Sequence, residues 1–172
     1  MIKRPVLSTA LAVGATLILA VNAAASTTYK YTEWIHGSEL PNATTTEGQF
    51  VGEATGSFNG AWYIDVRHDP LYYSTVYITG GSFSLSTVVN GWPGDIEGSF
   101  DWHGGTVKQI SGFSGCTNQQ YRVNGALSHV GVDGGSGTGY FSATLTHYRT
   151  NVWLVGCVVY SASVSGNVWL NF

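Results

Sequence analysis

Charged side chains are scarce in this chain. Asp, Glu, Lys and Arg together make up 10% of its 172 residues, seven basic against ten acidic. Two of the basic residues, Lys3 and Arg4, and none of the acids fall in residues 1–25, so the chain beyond that point carries five basic and ten acidic groups, a formal charge of −5 with His neutral. Such a chain has no electrostatic footprint for nucleic acid. It has no basic patch that would hold it to anionic lipid by charge. Cysteine is almost absent too, with Cys116 and Cys157 the only pair. No basic residue next to either would lower a thiol pKa, so a nucleophilic Cys fits poorly. No Ser sits in a nucleophile elbow, and no Gly-rich loop opens a helix. Sustained helical periodicity is missing after Ser26, which excludes helical bundles and doubly wound folds.

What is present begins with an export signal. A basic start at Lys3-Arg4 precedes an almost wholly apolar run from Val6 to Val21, and Ala23-Ala24-Ala25 offers small residues for cleavage before Ser26. The run is short for a membrane span and no basic stop-transfer cluster follows, so no stable membrane anchor is expected after cleavage. The expected product is secreted, periplasmic or extracellular. In that compartment Cys116 and Cys157 read as a disulfide, which would constrain the unfolded chain by about 4 kcal/mol on a chain-entropy basis. Asn42-Ala43-Thr44 matches a glycosylation sequon, with meaning only in a eukaryotic source.

The chain divides into the signal (1–25), an N-terminal strand and linker (26–47) and a β domain (48–172). Gly, Ser, Thr, Tyr, Trp and Val dominate, the residues of strands and turns. Alternating runs predict strands at Thr28–Ile35, Gln49–Phe58, Ala61–His68, Tyr72–Ile78, Ser82–Val88, Asp95–His103, Thr106–Ser111, Tyr121–Val130, Thr138–Arg149 and Trp153–Phe172. Asn59-Gly60, Gly80-Gly81 and Gly104-Gly105 read as tight hairpins, Trp92-Pro93-Gly94 as a turn, and Asp133 to Gly137 as a flexible loop. The fold class is all-β: a single antiparallel barrel of about eight strands, with a two-sheet sandwich as the alternative. Parity turns Trp62, Ile64, Val66, Phe100, Trp102, Val123, Leu127, Phe141, Ala143, Leu145, Val158, Tyr160, Ala162 and Val164 inward. Cys157 falls on the polar parity, so its disulfide should pin the Cys116 loop outside the sheet. Hydroxyls and aromatics, rather than charges, cover the outer face.

Gly98-Ser99-Phe100, Val123-Asn124-Gly125, Gly137-Thr138-Gly139-Tyr140-Phe141 and Thr146-His147-Tyr148-Arg149, with the final Ser163-Val164-Ser165-Gly166, punctuate these strands with glycine. A secreted chain of this size with that punctuation resembles the small barrels of the allene oxide cyclase and dirigent type, and lipocalins in outline. The resemblance spans roughly residues 48–172. It implies an eight-stranded barrel with an apolar cavity, in proteins that bind or steer small apolar molecules, some of which oligomerise. It transfers no catalytic residue.

Histidines carry the clearest chemical hint. His68, His129 and His147 continue the apolar parity to strand ends, where a barrel cavity meets water. Alternating strand directions put His129 and His147 at opposite mouths, so no three-His metal site is expected. His68 and His147 can share one mouth, with Asp65, Asp69 or Arg149 nearby. Glu97 and Asp101 share a strand face but stand about 13 Å apart, too far for a glycosidase pair. Asp65 and Arg67 read as a surface ion pair, and Asp133 alone makes no calcium site. No cofactor is implied. The leading expectation is a small, mostly apolar ligand in a cavity lined by Phe100, Trp102, Phe141 and Tyr160, oriented at the rim by His68 or His147. The alternatives are a cyclase or isomerase acting by confinement, a carbohydrate-binding module, and a structural surface protein. Trp34, Trp92, Trp153 and Trp169 lie off the core parity; they would stack on sugar rings or form a packing face, as in a homo-oligomer.

Overall fold

Alternation of apolar and polar side chains carries through eight strands that close on themselves. The computed structural model describes residues 29–41 and 43–172; the segment expected to be an export signal (1–25) and the sequon's Asn42 lie outside them. The strands are β1 (Tyr31–Glu39), β2 (Glu47–Gly56), β3 (Gly60–His68), β4 (Thr75–Val89), β5 (Trp92–Ser111), β6 (Gln119–Val132), β7 (Gly137–Val152) and β8 (Gly156–Asn171). Each pairs antiparallel with the next, and β1 pairs with β8 from Tyr31 opposite Leu170 to Ser38 opposite Ser163, so the sheet is a closed barrel and not a sandwich. The first strand is therefore a stave of the barrel, which begins at Tyr31 and not at residue 48.

Two expected hairpins are absent. Gly80-Gly81 lies inside β4 and Gly104-Gly105 inside β5, so ten predicted runs collapse to eight strands. Gly80 and Gly81 adopt φ of 151° and 137°, which side chains rarely tolerate, and there the long strand bends instead of reversing. The reversal after β4 falls at Asn90-Gly91, with φ of 52° and 85°, and Trp92 already opens β5. The Asn59-Gly60 hairpin and the Asp133–Gly137 loop stand where the sequence put them.

Inward residues fill the barrel. Ile35, Ile64, Ile78, Phe83, Leu85, Ile96, Leu127, Val168 and Leu170 are essentially inaccessible to water. Trp62 stands opposite Gly52 on β2, itself opposite Gly37 on β1, where the strand backbones approach too closely for side chains. Its indole N–H donates to the carbonyls of His36 (3.1 Å) and Glu53 (2.9 Å), tying three strands together. A Cβ on either glycine would strike the facing backbone.

The end where β1 begins is plugged. Tyr31, Phe58 and Phe172 pack ring on ring, with Tyr31 centred 5.0 Å from Phe58 and 5.1 Å from Phe172. Beneath them Glu33 is wholly buried on the inward parity of β1. The Phe58 N–H donates to both of its carboxylate oxygens, at 3.1 and 3.0 Å, so the side chain fastens the β2–β3 turn to β1. Cys116 and Cys157 form the expected disulfide, with Cα atoms 5.5 Å apart, outside the barrel interior. A disulfide suits an oxidising compartment.

Burial pushes the Glu33 carboxyl above its ordinary pKa, against the lowering effect of the bonds from Phe58 and Ser57. A folded-state pKa above the unfolded one means that the folded protein holds this proton more tightly. The resulting stabilisation is complete below the unfolded pKa and is lost as pH rises through the folded pKa. Glu33→Gln removes this titration. The stability of the wild type relative to Glu33→Gln should therefore fall as pH rises from below the carboxylate range to neutrality, measured by urea midpoints across that range. A difference that stays flat or grows would contradict the role assigned to Glu33.

Candidate functional site

The opposite end is open. There residues from five strands and one loop converge: Glu39 ends β1, Glu47 starts β2 from its outward parity, His68 ends β3, Leu71 follows it, Tyr121 lies near the start of β6 and His147 near the end of β7. Together with Thr44 they rim a cleft whose floor is Phe50, Val66, Val107, Val123 and Leu145. The cleft offers about 60 Å³ to water-sized molecules. That is room for a few waters or one end of an organic molecule, well short of a deep cavity.

The histidines take different parts in this rim. His147 Nε2 donates to Glu39 Oε2 at 2.9 Å, a bond that becomes an ion pair when the imidazole is protonated. Both side chains are largely shielded from solvent, which strengthens the bond. The Tyr121 ring sits 5.3 Å from that of His147, and its hydroxyl donates to Gln119 Oε1 at 3.3 Å. Burial, with a smaller push from Glu39 and a pull downward from Arg149, raises the Tyr121 pKa, so at neutral pH the phenol is a proton donor. His68 Nδ1 lies 2.7 Å from the Asp69 carbonyl oxygen. A carbonyl only accepts, so Nδ1 carries the proton, and in the neutral ring Nε2 is left as an acceptor.

The cleft thus unites His68 and His147, as the sequence led us to expect. His129 is exposed beyond a break in the β6 register, at the plugged end. Phe100 and Phe141 do face inward, but they are buried below the cleft and packed edge to face at 5.7 Å, filling the space over Gly125. Trp102 and Tyr160 do not face inward: they are 69% and 65% exposed. Both sit where the register slips. Phe100 pairs with Leu127 and Gly105 with Gly125, so Asp101 to Gly104 bulge out opposite Ala126 alone. Tyr160 is the unpaired residue between Val159, opposite Arg149, and Ser161, opposite Tyr148. The aromatic cavity expected from Phe100, Trp102, Phe141 and Tyr160 is therefore replaced by a solid core and a shallower polar-rimmed cleft.

Glu39 and Tyr121 were not singled out in the sequence. The signal for Glu39 was its parity: Glu33, Ile35, Gly37 and Glu39 alternate, but two carboxylates on that face disguised it. Glu47 also acts on the outer wall. The ion pair expected between Asp65 and Arg67 does not form, and one Asp65 oxygen is buried without a hydrogen-bond partner. Burial raises the Asp65 carboxyl, Glu47 raises it further and the more distant Arg67 charge pulls it down. Among the described residues no group of three or more His, Cys, Asp or Glu is placed to hold a metal ion.

Removing the imidazole leaves a shielded carboxylate without its partner. His147→Ala should lower unfolding free energy by about 1–2 kcal/mol. His129→Ala, exposed at the other end, should stay within about 0.5 kcal/mol of the wild type. Urea denaturation of the two variants compares them, and equal effects would remove any special status from the Glu39–His147 bond. Comparisons with protein-family models, with curated proteins and with solved structures found no match to this chain.

Proposed function

We propose that this protein acts outside the cell by binding a small, mostly apolar molecule at the open end of the barrel. The observation that carries this reading is the pairing of an apolar floor with the Glu39–His147 bond at its rim. An apolar body would lie on Phe50, Val66, Val123 and Leu145, driven by loss of water from that surface. A hydroxyl on the ligand suits the rim best: it can donate to the Glu39 carboxylate or to His68 Nε2, and accept from Tyr121 in place of Gln119. The same donor and acceptor set is what an isomerase or cyclase would use, though confinement is slight in a cleft of about 60 Å³. The resemblance to allene oxide cyclase and dirigent barrels points toward the same ligand class.

A second reading has its own support on the outer wall. Trp102 stacks on His103 with centroids 4.5 Å apart, both in the β5 bulge, and the outward-facing Tyr77 of β4 lies 5.1 Å from His103. His103 holds φ of 56°, an uncommon backbone state for a side chain of its size. Exposed rings on a rigid sheet offer flat apolar faces to sugar rings.

Short-chain fatty alcohols test the first reading. They should raise the melting temperature of the wild type, and Leu145→Trp, which fills the cleft, should weaken their binding by about tenfold or more. Native mass spectrometry of the exported protein should show a retained small molecule in the wild type and not in Leu145→Trp. If neither alcohols nor any retained molecule distinguishes the two proteins, the cleft is not a binding site. The second reading requires that Trp102→Ala, and not Leu145→Trp, abolish retardation of the protein in gels containing soluble polysaccharide.

A further inference from the structure

Past its register slip, the β7–β8 pair leaves the barrel wall as a narrow ribbon. Pairing continues from Arg149 opposite Val159 to Val152 opposite Gly156. The ribbon ends in Trp153-Leu154-Val155, which are 86%, 85% and 70% exposed. Three consecutive apolar side chains at an exposed tip are unfavourable in water unless something covers them.

A two-stranded ribbon is marginal by itself, and this one is braced. Cys157 is bonded to Cys116 in the β5–β6 loop. The Arg149 N–H donates to Asn118 Oδ1 at 3.0 Å, and Arg149 Nη1 donates to the Gly115 carbonyl at 3.4 Å. The brace holds the apolar tip out in a fixed position instead of letting it fold back on the barrel. Strand direction puts two further loops at the same end, and they expose Phe113, Tyr72 and Tyr73. Trp and Tyr are the side chains that settle at a membrane–water interface.

Charge and area identify the occupant. No Asp or Glu occurs from Trp102 to Val132 or from Gly134 to Phe172, so the ribbon and the loop that braces it carry no carboxylate to desolvate or to repel phosphate. The ribbon's one charged side chain is Arg149, of the sign that lipid phosphates attract. The exposed apolar side chains at this end sit on three separate loop tips, and insertion among headgroups does not require them to form the single continuous face of roughly 800 Å² per partner that a stable protein complex buries. A fluid surface needs no matching pocket.

We propose that the open end of the barrel docks on a phospholipid bilayer surface, with Trp153-Leu154-Val155 inserted among the headgroups. The docking does not depend on what the cleft holds. It is peripheral and apolar in origin, so it stands with the lack of a basic patch.

Co-sedimentation of the oxidised full-length mature protein with vesicles tests it, using phosphatidylcholine alone and phosphatidylcholine mixed with phosphatidylglycerol. The wild type should sediment with both, without a marked preference for the anionic vesicles. A double variant, Trp153→Ser with Leu154→Ser, should bind at least tenfold more weakly at an unchanged melting temperature. Trp92→Ser, exposed at the plugged end, should bind like the wild type. Opening the disulfide with Cys116→Ser and Cys157→Ser should weaken binding several-fold. Failure of the wild type to bind either vesicle, or a double variant that binds as well as the wild type, overturns the proposal. So does concentration-dependent self-association that the double variant abolishes without any vesicle binding, which would make a second copy the occupant.

Discussion

Pairing of β1 with β8 is the constraint from which the remaining structure follows. It joins Tyr31–Ser38 to Ser163–Leu170, segments from opposite ends of the described chain, and it removes the last free edges of the sheet. Closure also defines an interior. Side chains on one parity of every strand then share a single enclosed space, whereas an open sheet would leave half of them facing water. Trp62 braces the β1–β2–β3 side of the circuit from inside, because its indole N–H bonds backbone carbonyls of both β1 and β2.

The two ends of that enclosed space are chemically different, and the difference creates the candidate site. At one end three aromatic rings and the buried Glu33 seal the interior. At the other the inward positions turn polar toward the ends of β1, β3 and β7, as Glu39, His68 and His147, while the floor stays apolar. Bulges extend the contrast to the outside. The slip in β5 after Phe100 and the slip in β8 insert residues that have no cross-strand partner, and these project outward as Trp102, His103 and Tyr160 or lead into the β7–β8 ribbon. The aromatic surplus of the sequence is spent on the exterior, where it offers flat faces and an apolar tip.

Much of the site was legible from parity alone. His68 and His147 could be placed at one mouth and His129 at the other by counting strand directions, because antiparallel neighbours reverse strictly. Phe100 and Phe141 were correctly turned inward, yet inwardness does not say whether a ring lines a void or fills one. That depends on neighbours such as Gly125, whose missing side chain lets Phe100 occupy the space. Glycine pairs were ambiguous in the same way. Gly80-Gly81 and Gly104-Gly105 have the chemistry of a tight turn and of a bend in a continuous strand, and only the partner strands choose between them.

The amino-acid order by itself determined an all-β antiparallel fold, its inward and outward faces over most of each strand, and the cysteine pairing, and left barrel against sandwich to the β1–β8 closure. Those follow from the two-residue repeat of an extended chain and from having only two thiols, neither of which needs knowledge of distant neighbours. The tertiary structure alone decided where that repeat is interrupted, and so the outward turn of Trp102 and Tyr160. It also decided which rim residues meet, above all Glu39 and His147, 108 positions apart. Register slips and rim contacts arise from fitting eight strands of unequal length into one closed circuit, and no local pattern encodes that fit.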